Sequence, residues 1–447
     1  MKTISSVDYR HKPLRILIIN LHSSHNAGDA ALAITAIRLL EEAFPGCEIT
    51  LSANDPSSFQ LGYKTVGSIP GFSKHLSRSG NLRWHIPTFI TLPLLSLIIS
   101  LQFKLFGIAS LFLLPEEHKK MMRAYFDADL VISAAGNFLY SSGRFGLAFI
   151  LSILAMWIAI LAKKPLYLLP QSIGPIRRPW EKFLIRRTLS KARIIMLREW
   201  QSLLPLQDIG FEHPRLLILP DLAFAFESAP RSKAKEWLYV QGIDVDNSHP
   251  LLGITVINFK RMQRQFMQQE QYENAISEMI KYFLHQYGGK AILFTHVTGS
   301  PYVADDRTPA RSIISNLTEF GDTVVLIEES PPPALLKTAY GIMDIFVGTR
   351  MHSNIFALSE RVPTLAISYF HKTKGLMQML GLDDWMIDIR EITGEMLKEK
   401  LQNLWENREI IRDTLETKIP HLKDEALSAA LRIADDHNHY EDSRRGQ

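Results

Sequence analysis

Arg350 and His352 stand two residues apart in the stretch DIFVGTRMHSNIFALSERVPTLAISY, where an apolar run ends at a glycine and a helical pattern follows at once. A loop leading into a helix presents unpaired backbone N–H groups and the positive end of the helix dipole, a setting suited to anions. Arg350 adds a planar, permanently charged fork that can hold a phosphate or carboxylate at two points. His352 adds a group that gives or takes a proton near neutral pH. The pair therefore suits chemistry on a phosphorylated or carboxylated substrate. An isolated R-x-H can equally be a structural salt bridge beside a helix-capping histidine, so its context has to decide.

The elements around the pair form an alternating series. LRILIIN is a short β-branched run fit for a buried parallel strand, followed by the polar loop LHSSHNAGDAA, the helical pattern ALAITAIRLLEEAFP and a second strand, CEITLSA. The alternation resumes with ADLVISAAGN, an apolar helix from Leu147, PLYLLPQSIGP, ARIIMLRE and RLLILPDLAF. After a polar stretch a second series follows, with strands LLGITVIN, KAILFTHV, DTVVLIE, DIFVGT and TLAISY. This is the signature of doubly wound α/β domains, whose ligands sit beyond the carboxyl ends of the strands. The expected fold class is α/β, with two Rossmann-like domains facing across a cleft. The expected division is 1–226 for the first domain, 227–249 for a linker, 250–435 for the second domain and 436–447 for a disordered polar tail.

The bulk composition agrees with that scale. A chain of 447 residues with 46% hydrophobic and 21% charged residues should fold into two or three domains. The net charge of +4 fits an anionic small molecule or an acidic membrane surface. No long Arg/Lys run interleaved with aromatics stands out, so no nucleic-acid partner is expected. The single cysteine, Cys47, cannot close an internal disulfide, which fits a reducing compartment. The first 20 residues lack the apolar core of a signal peptide, and the expected location is cytoplasmic.

Residues 86–115 break the alternation, being nearly all apolar with one lysine. The stretch is long enough to span a bilayer, but a spanning helix would put two halves of one sheet on opposite sides of a membrane. Two readings remain: a helical insert resting on the membrane's inner face, or a pair of buried helices. Arg83, His118, Lys119, Lys120 and Arg123 flank it and could meet anionic head groups.

The motifs taken together resemble the polysaccharide pyruvyl transferase family. NAGDAALAITAIRLLEEAFP, from Asn26, is similar to that family's N-x-G-D loop and first helix. AAGNFLY, from Ala134, sits where the family has a Gly-rich loop, here with alanine at two positions often glycine. PQSIGPI is similar to its Q-S-x-G-P loop, LREWQS to an R-E-x-x-S turn, and LPDLAF to a P-D-x-A-F strand end. In the second half, DDR from Asp305, the R-x-H turn and the Y-x-x-K element at Tyr369 and Lys372 complete the set. Each motif alone is weak; their order and their places at strand ends are specific.

The resemblance implies a GT-B-like fold and transfer of the enolpyruvyl unit of phosphoenolpyruvate onto a sugar of a surface or extracellular polysaccharide, forming a pyruvate ketal. It implies catalytic roles for His352 and Arg350. Substrate-binding roles would fall to Arg198, Lys372, Asn26, Gly28, Asp29, Gly136, Asn137, Gln171, Ser172 and His296. Arg198 is the expected second cationic clamp, with a salt bridge to a neighbouring acid as the plainer alternative. Asp29 is equally a helix cap, and Asp305 and Asp306 fix a loop or meet the sugar. No cofactor and no metal is called for. The expected partners are phosphoenolpyruvate, a sugar or lipid-linked oligosaccharide, and a membrane surface. Two other readings use the same fold: a glycosyltransferase acting on a nucleotide sugar, and a non-catalytic sugar-binding homologue in polysaccharide assembly.

Overall fold

The computed structural model describes residues 12–71, 82–141, 146–248, 250–259, 268–299 and 305–445, with side chains from Ile90 onward in the helix that opens at Leu82. Two sheets, parallel throughout, organise it. The first holds β1 (Arg15–Leu21), β2 (Glu48–Ala53), β3 (Lys64–Gly67), β4 (Leu130–Ser133), β5 (Gly136–Leu139), β6 (Leu166–Ile173), β7 (Ile194–Leu197) and β8 (Leu216–Ile218). Its strands lie in the order β3-β2-β1-β4-β6-β7-β8, with β5 also pairing with β6. The second holds β9 (Leu251–Thr255), β10 (Lys290–Phe294), β11 (Val324–Ile327), β12 (Ile345–Gly348), β13 (Thr364–Ser368) and β14 (Met386–Asp388), in the order β11-β10-β9-β12-β13-β14. The winding reverses between β1 and β4 and again between β9 and β12. Those two crevices, beyond the strand ends, are where such sheets place ligands. The central strands β1, β4, β9 and β12 read as continuous apolar runs because helices cover both faces.

The AAGN stretch, expected as a loop, is half strand: Ala134 and Ala135 turn the chain and Gly136–Leu139 form β5. Its pairing with β6 is irregular, Gly136 facing Gln171 and Leu139 facing Ile173. Gly136 has φ 150°, which glycine adopts without strain.

The two halves are closed on each other. Ala27 N–H donates to the carbonyl of His296 (3.2 Å) and Thr298 N–H to that of His25 (3.0 Å), so the loop after β1 pairs with the loop after β10. The Lys337 ammonium is buried and donates to the Phe226 carbonyl (2.6 Å), while Phe226 stacks on Phe356. One hydrophobic cluster runs from β1 through Leu222–Phe226 into the second sheet. The segment expected as a linker carries the helix Arg231–Val240, whose Ala234 and Leu238 are fully buried in that cluster. His249 lies outside the described residues.

The polar tail is not disordered. Residues Arg408–Arg445 form one helix that returns to the first domain, and the last two residues lie outside the described range. The buried Asp436 accepts from Tyr167 Oη (3.0 Å) and from Arg193 Nε (2.7 Å), and it also pairs with Arg215. His437 packs edge-on against Phe44 and Tyr167. A polar composition is compatible with burial when each charge meets a partner.

The 86–115 stretch is not a buried pair of helices. Leu82–Phe106 is one helix, followed by a 3-10 turn at Leu111–Leu113 and the helix Glu116–Asp127. Leu92, Ser96, Ile99 and Ser100 turn to the protein, and the opposite face is bare. Among the described residues, no helix is long and apolar enough to cross a membrane.

Candidate active site

β12 ends at Gly348 and the helix Met351–Ser359 starts three residues on, with Arg350 as its N-cap. Gly348 leaves room there: a β-carbon on it would collide with Asn354 Oδ1. Arg350 is buried and forms a two-point pair with Asp306, its Nε lying 3.2 Å from both carboxylate oxygens. Asp306 also accepts from Val297 N–H (3.0 Å). Burial pushes the Asp306 carboxyl up to about 6 against the pull of Arg350. The plainer reading of Arg350, a structural ion pair, is thus present, and Asp306 fixes its position. Asp305 is separate from it and pairs with Arg307.

His352 is buried in the first turn of the same helix. Its Nε2 points toward Asp221 Oδ2 at 3.7 Å and has no hydrogen-bond partner. The same Asp221 oxygen accepts from Arg198 Nη1 at 2.7 Å. Asp221 therefore stands between a first-domain arginine and a second-domain histidine. Burial opposes its charge, but Arg198 and His352 outweigh that and hold it well below the usual carboxylate range. Asp221 caps the turn Leu222–Ala225 by accepting from Ala223 N–H. Its motif was visible in the sequence, but nothing local marked it as the bridge to His352.

Arg198, at the end of β7, is almost fully buried. Its Nε donates to Ser172 Oγ (2.7 Å), and Glu199 Oε2 lies 3.4 Å away. Arg198 is salt-bridged, the plainer expectation, and its Nη2 is buried with no partner. Burial pushes the Glu199 carboxyl up, and Ser172 and Ser202 donate to it. Gln171 precedes Ser172 at the end of β6, fully buried, with both polar atoms of its amide unpartnered. Asn137 Oδ1, on the adjoining β5, is in the same condition. Orphaned buried polar atoms are uncommon in folded proteins, and a cluster of them at strand ends is what a polar ligand would satisfy.

Asn26 caps the helix Ala27–Ala43, accepting from Gly28 N–H (3.0 Å) and donating to Asp29 Oδ2 (3.0 Å). Asp29 is thus part of the cap, in the first turn. Lys372, in the first turn of the helix His371–Leu380, shares the small cavity between the halves with Arg198, Asp221 and Met351. Burial, aided by Arg198, brings its ammonium down to about 8, while Asp29 and Glu199 oppose the shift. The space there is about 10 Å³, roughly one water. His296, at the end of β10, is fully buried, its Nδ1 3.2 Å from Tyr340 Oη and its Nε2 unpartnered. Burial, with His352 and Arg350 nearby, lowers its pKa well below the usual imidazole range. Its backbone carbonyl, rather than its ring, holds the first domain through Ala27.

The structure thus gathers Arg198, Ser172, Gln171, Lys372, His352 and Arg350 along one seam, with Asn26, Gly28 and Asp29 forming its first-domain lip. No group of three or more His, Cys, Asp or Glu residues that could hold a metal occurs among the described residues.

Comparison with known proteins bears on the family and the fold. A model of the polysaccharide pyruvyl transferase family matches residues 26–371. The chain is 25% identical over 259 residues to the amylovoran biosynthesis protein AmsJ of Erwinia amylovora, covering 57% of this chain and 61% of that protein. Among solved structures, S. aureus MnaA with UDP superposes with a TM-score of 0.58 at 10% identity, covering 96% of this chain and 97% of that one. Sucrose-phosphate synthase from Thermosynechococcus elongatus gives 0.55 at 13%, with 97% and 100% covered. Anabaena HepE with UDP-glucose gives 0.54 at 11%, with 96% and 100% covered. At such identities the likeness concerns the fold, which is GT-B.

Proposed function

The chain belongs to the polysaccharide pyruvyl transferase family, and from that premise we propose that it transfers the enolpyruvyl unit of phosphoenolpyruvate to two hydroxyls of one sugar. The acceptor is a sugar of an extracellular or surface polysaccharide, free or carried on a lipid. The observation that carries the reading is the Arg198–Asp221–His352 seam, where a guanidinium with a free buried N–H faces an unpartnered imidazole nitrogen across one carboxylate. A donor bearing both a phosphate and a carboxylate needs more than one cation. Arg350, Arg198 and Lys372 supply three around one histidine.

In this reading His352 takes the proton of the first hydroxyl as that hydroxyl adds to C2 of phosphoenolpyruvate, and the same proton passes on to C3, turning the methylene into a methyl group and returning the imidazole to its starting state. The C2–O–phosphate bond then breaks with its electron pair leaving on phosphate. The oxocarbenium centre is captured by the second hydroxyl, whose proton leaves with the phosphate. One ketal and one inorganic phosphate result. Cations aimed at the leaving phosphate act where charge changes most.

The test is phosphate release from phosphoenolpyruvate by purified protein with lipid-linked oligosaccharide extracts, run beside UDP-sugars. Acceptor-dependent phosphate release with a mass gain of 70 Da in the product, the size of the added unit (roughly, by the stoichiometry above), supports the reading. Sugar transfer from a UDP-sugar with no use of phosphoenolpyruvate overturns it.

A further inference from the structure

We propose that the bare face of helix Leu82–Phe106, continued by the first turns of two neighbouring helices, docks on an anionic lipid bilayer. On that helix Ile90, Leu94, Ile98, Leu101 and Leu105 recur every three or four residues and are between 45% and 64% exposed. That spacing puts them on one stripe. The stripe reaches Phe106 at the helix end and runs on through Ile108 and Phe112, each more than 60% exposed. Soluble surfaces seldom leave so long a contiguous apolar strip uncovered.

The helix packs against Leu147–Leu161, which packs against Pro179–Leu189. Leu147 and Ile150 are exposed at the start of the first of these, and Trp180 and Phe183 at the start of the second. The two starts adjoin, since Trp180 packs edge-on against Phe149 at 6.0 Å. Aromatic side chains beside an aliphatic stripe suit the boundary between head groups and acyl chains.

Charge selects the kind of surface. Between residues 177 and 191 there are six Arg or Lys residues and one acid, Glu181. Glu181 is buried and already held by Arg178. Arg186 and Arg187 are exposed and make no salt bridge among the described residues, and Arg187 lies over the Phe183 ring. Lys104 is likewise exposed on the apolar helix. Clustered cations beside an apolar stripe match anionic head groups above acyl chains.

The starts of those two neighbouring helices also lie at the working end of the first sheet. The helices Leu147–Leu161 and Pro179–Leu189 begin where β5 and β6 end, and Arg177 N–H donates to Ser141 Oγ there. Docking would therefore bring the Gln171–Ser172 lip toward the bilayer. The binding itself does not depend on the transfer proposed above.

The full chain is sedimented with vesicles of phosphatidylcholine, with and without phosphatidylglycerol. Binding to the anionic vesicles is expected, weakened but not abolished by salt and released by detergent. The triple variant Leu94→Asn, Ile98→Asn, Leu105→Asn and the double variant Arg186→Glu, Arg187→Glu should each lower the partition by at least about tenfold. The double variant changes only exposed residues, so it decides the matter even if the triple variant folds poorly. No binding by the wild type, or unchanged binding by the double variant, overturns the proposal. So does a stable dimer that hides the stripe, detected by light scattering and broken by the triple variant.

Discussion

A β-carbon added to Gly28 would lie 2.1 Å from Nδ1 of His352. The first turn of the first-domain helix thus lies directly against the proposed acid–base residue of the second domain. Only a hydrogen at position 28 allows that contact while the halves are closed. The N-x-G-D glycine is there for an approach between domains.

Gly28→Ala should therefore push the imidazole aside without unfolding either sheet. A displacement of about 1 Å at a reacting group can cost on the order of 100-fold in rate. The expected result is a comparable fall in kcat for phosphate release, with an unfolding midpoint near that of wild type. Full activity would show that the closed contact is not the working geometry.

His352→Ala should lower turnover by roughly 10²–10⁴-fold, the usual loss on removing a positioned acid or base. Phosphoenolpyruvate binding, measured by calorimetry, should survive. Near-normal turnover would refute the role.

Arg350→Lys retains the charge but loses the fork that Asp306 holds. Use of the donor should suffer more than use of the acceptor, read as separate KM values. Asp306→Ala would leave Arg350 buried without its carboxylate, and breaking such a pair costs about 3–5 kcal/mol. Urea denaturation measures this, and a loss under about 1 kcal/mol would make Asp306 dispensable to the fold.

Lys372 gives a pH dependence. Burial brings its ammonium down to about 8, so it is charged below that pH and loses its charge as pH rises through it. Donor affinity should be highest below pH 8 and weaken above it, by roughly tenfold if one charge-assisted bond is lost. Lys372→Arg should flatten the profile, because guanidinium stays charged. A wild-type KM for phosphoenolpyruvate that is level from pH 7 to 10 would remove Lys372 from the donor site.

Asp436→Ala should loosen the returning C-terminal helix. It removes the acceptor for Tyr167, Arg193 and Arg215 at once. A loss of about 3 kcal/mol in unfolding free energy is expected, since a buried network is broken from one side. Under about 0.5 kcal/mol, the helix would be held by its apolar face alone.

Much of the site was legible because its chemistry sits at strand ends. Arg350 and His352 share one turn, and a continuous apolar run giving way to a period of 3.6 announces that turn in the linear chain. Arg198, Gln171, Ser172 and Lys372 stand at similar switches. Asp221 was quoted within its motif yet not assigned to the site. Its partners, Arg198 and His352, lie 23 and 131 residues away in the chain, and no local pattern encodes a distance of that kind. His296 shows the reverse: its ring drew notice, but its backbone carbonyl makes the contact between domains.

By itself the sequence determined the alternation of buried strands and covering helices, hence two parallel sheets and a seam beyond their carboxyl ends. Side-chain periodicity is a local property, and parallel strands buried on both faces must be apolar throughout. Tertiary structure alone decided which face of the apolar helix is bare, that the polar tail folds back as a helix, and that Asp221 joins Arg198 to His352. Each of these depends on what lies across a gap between segments far apart in the chain. Burial of a charge, or exposure of a leucine, is a property of that surrounding rather than of the residue.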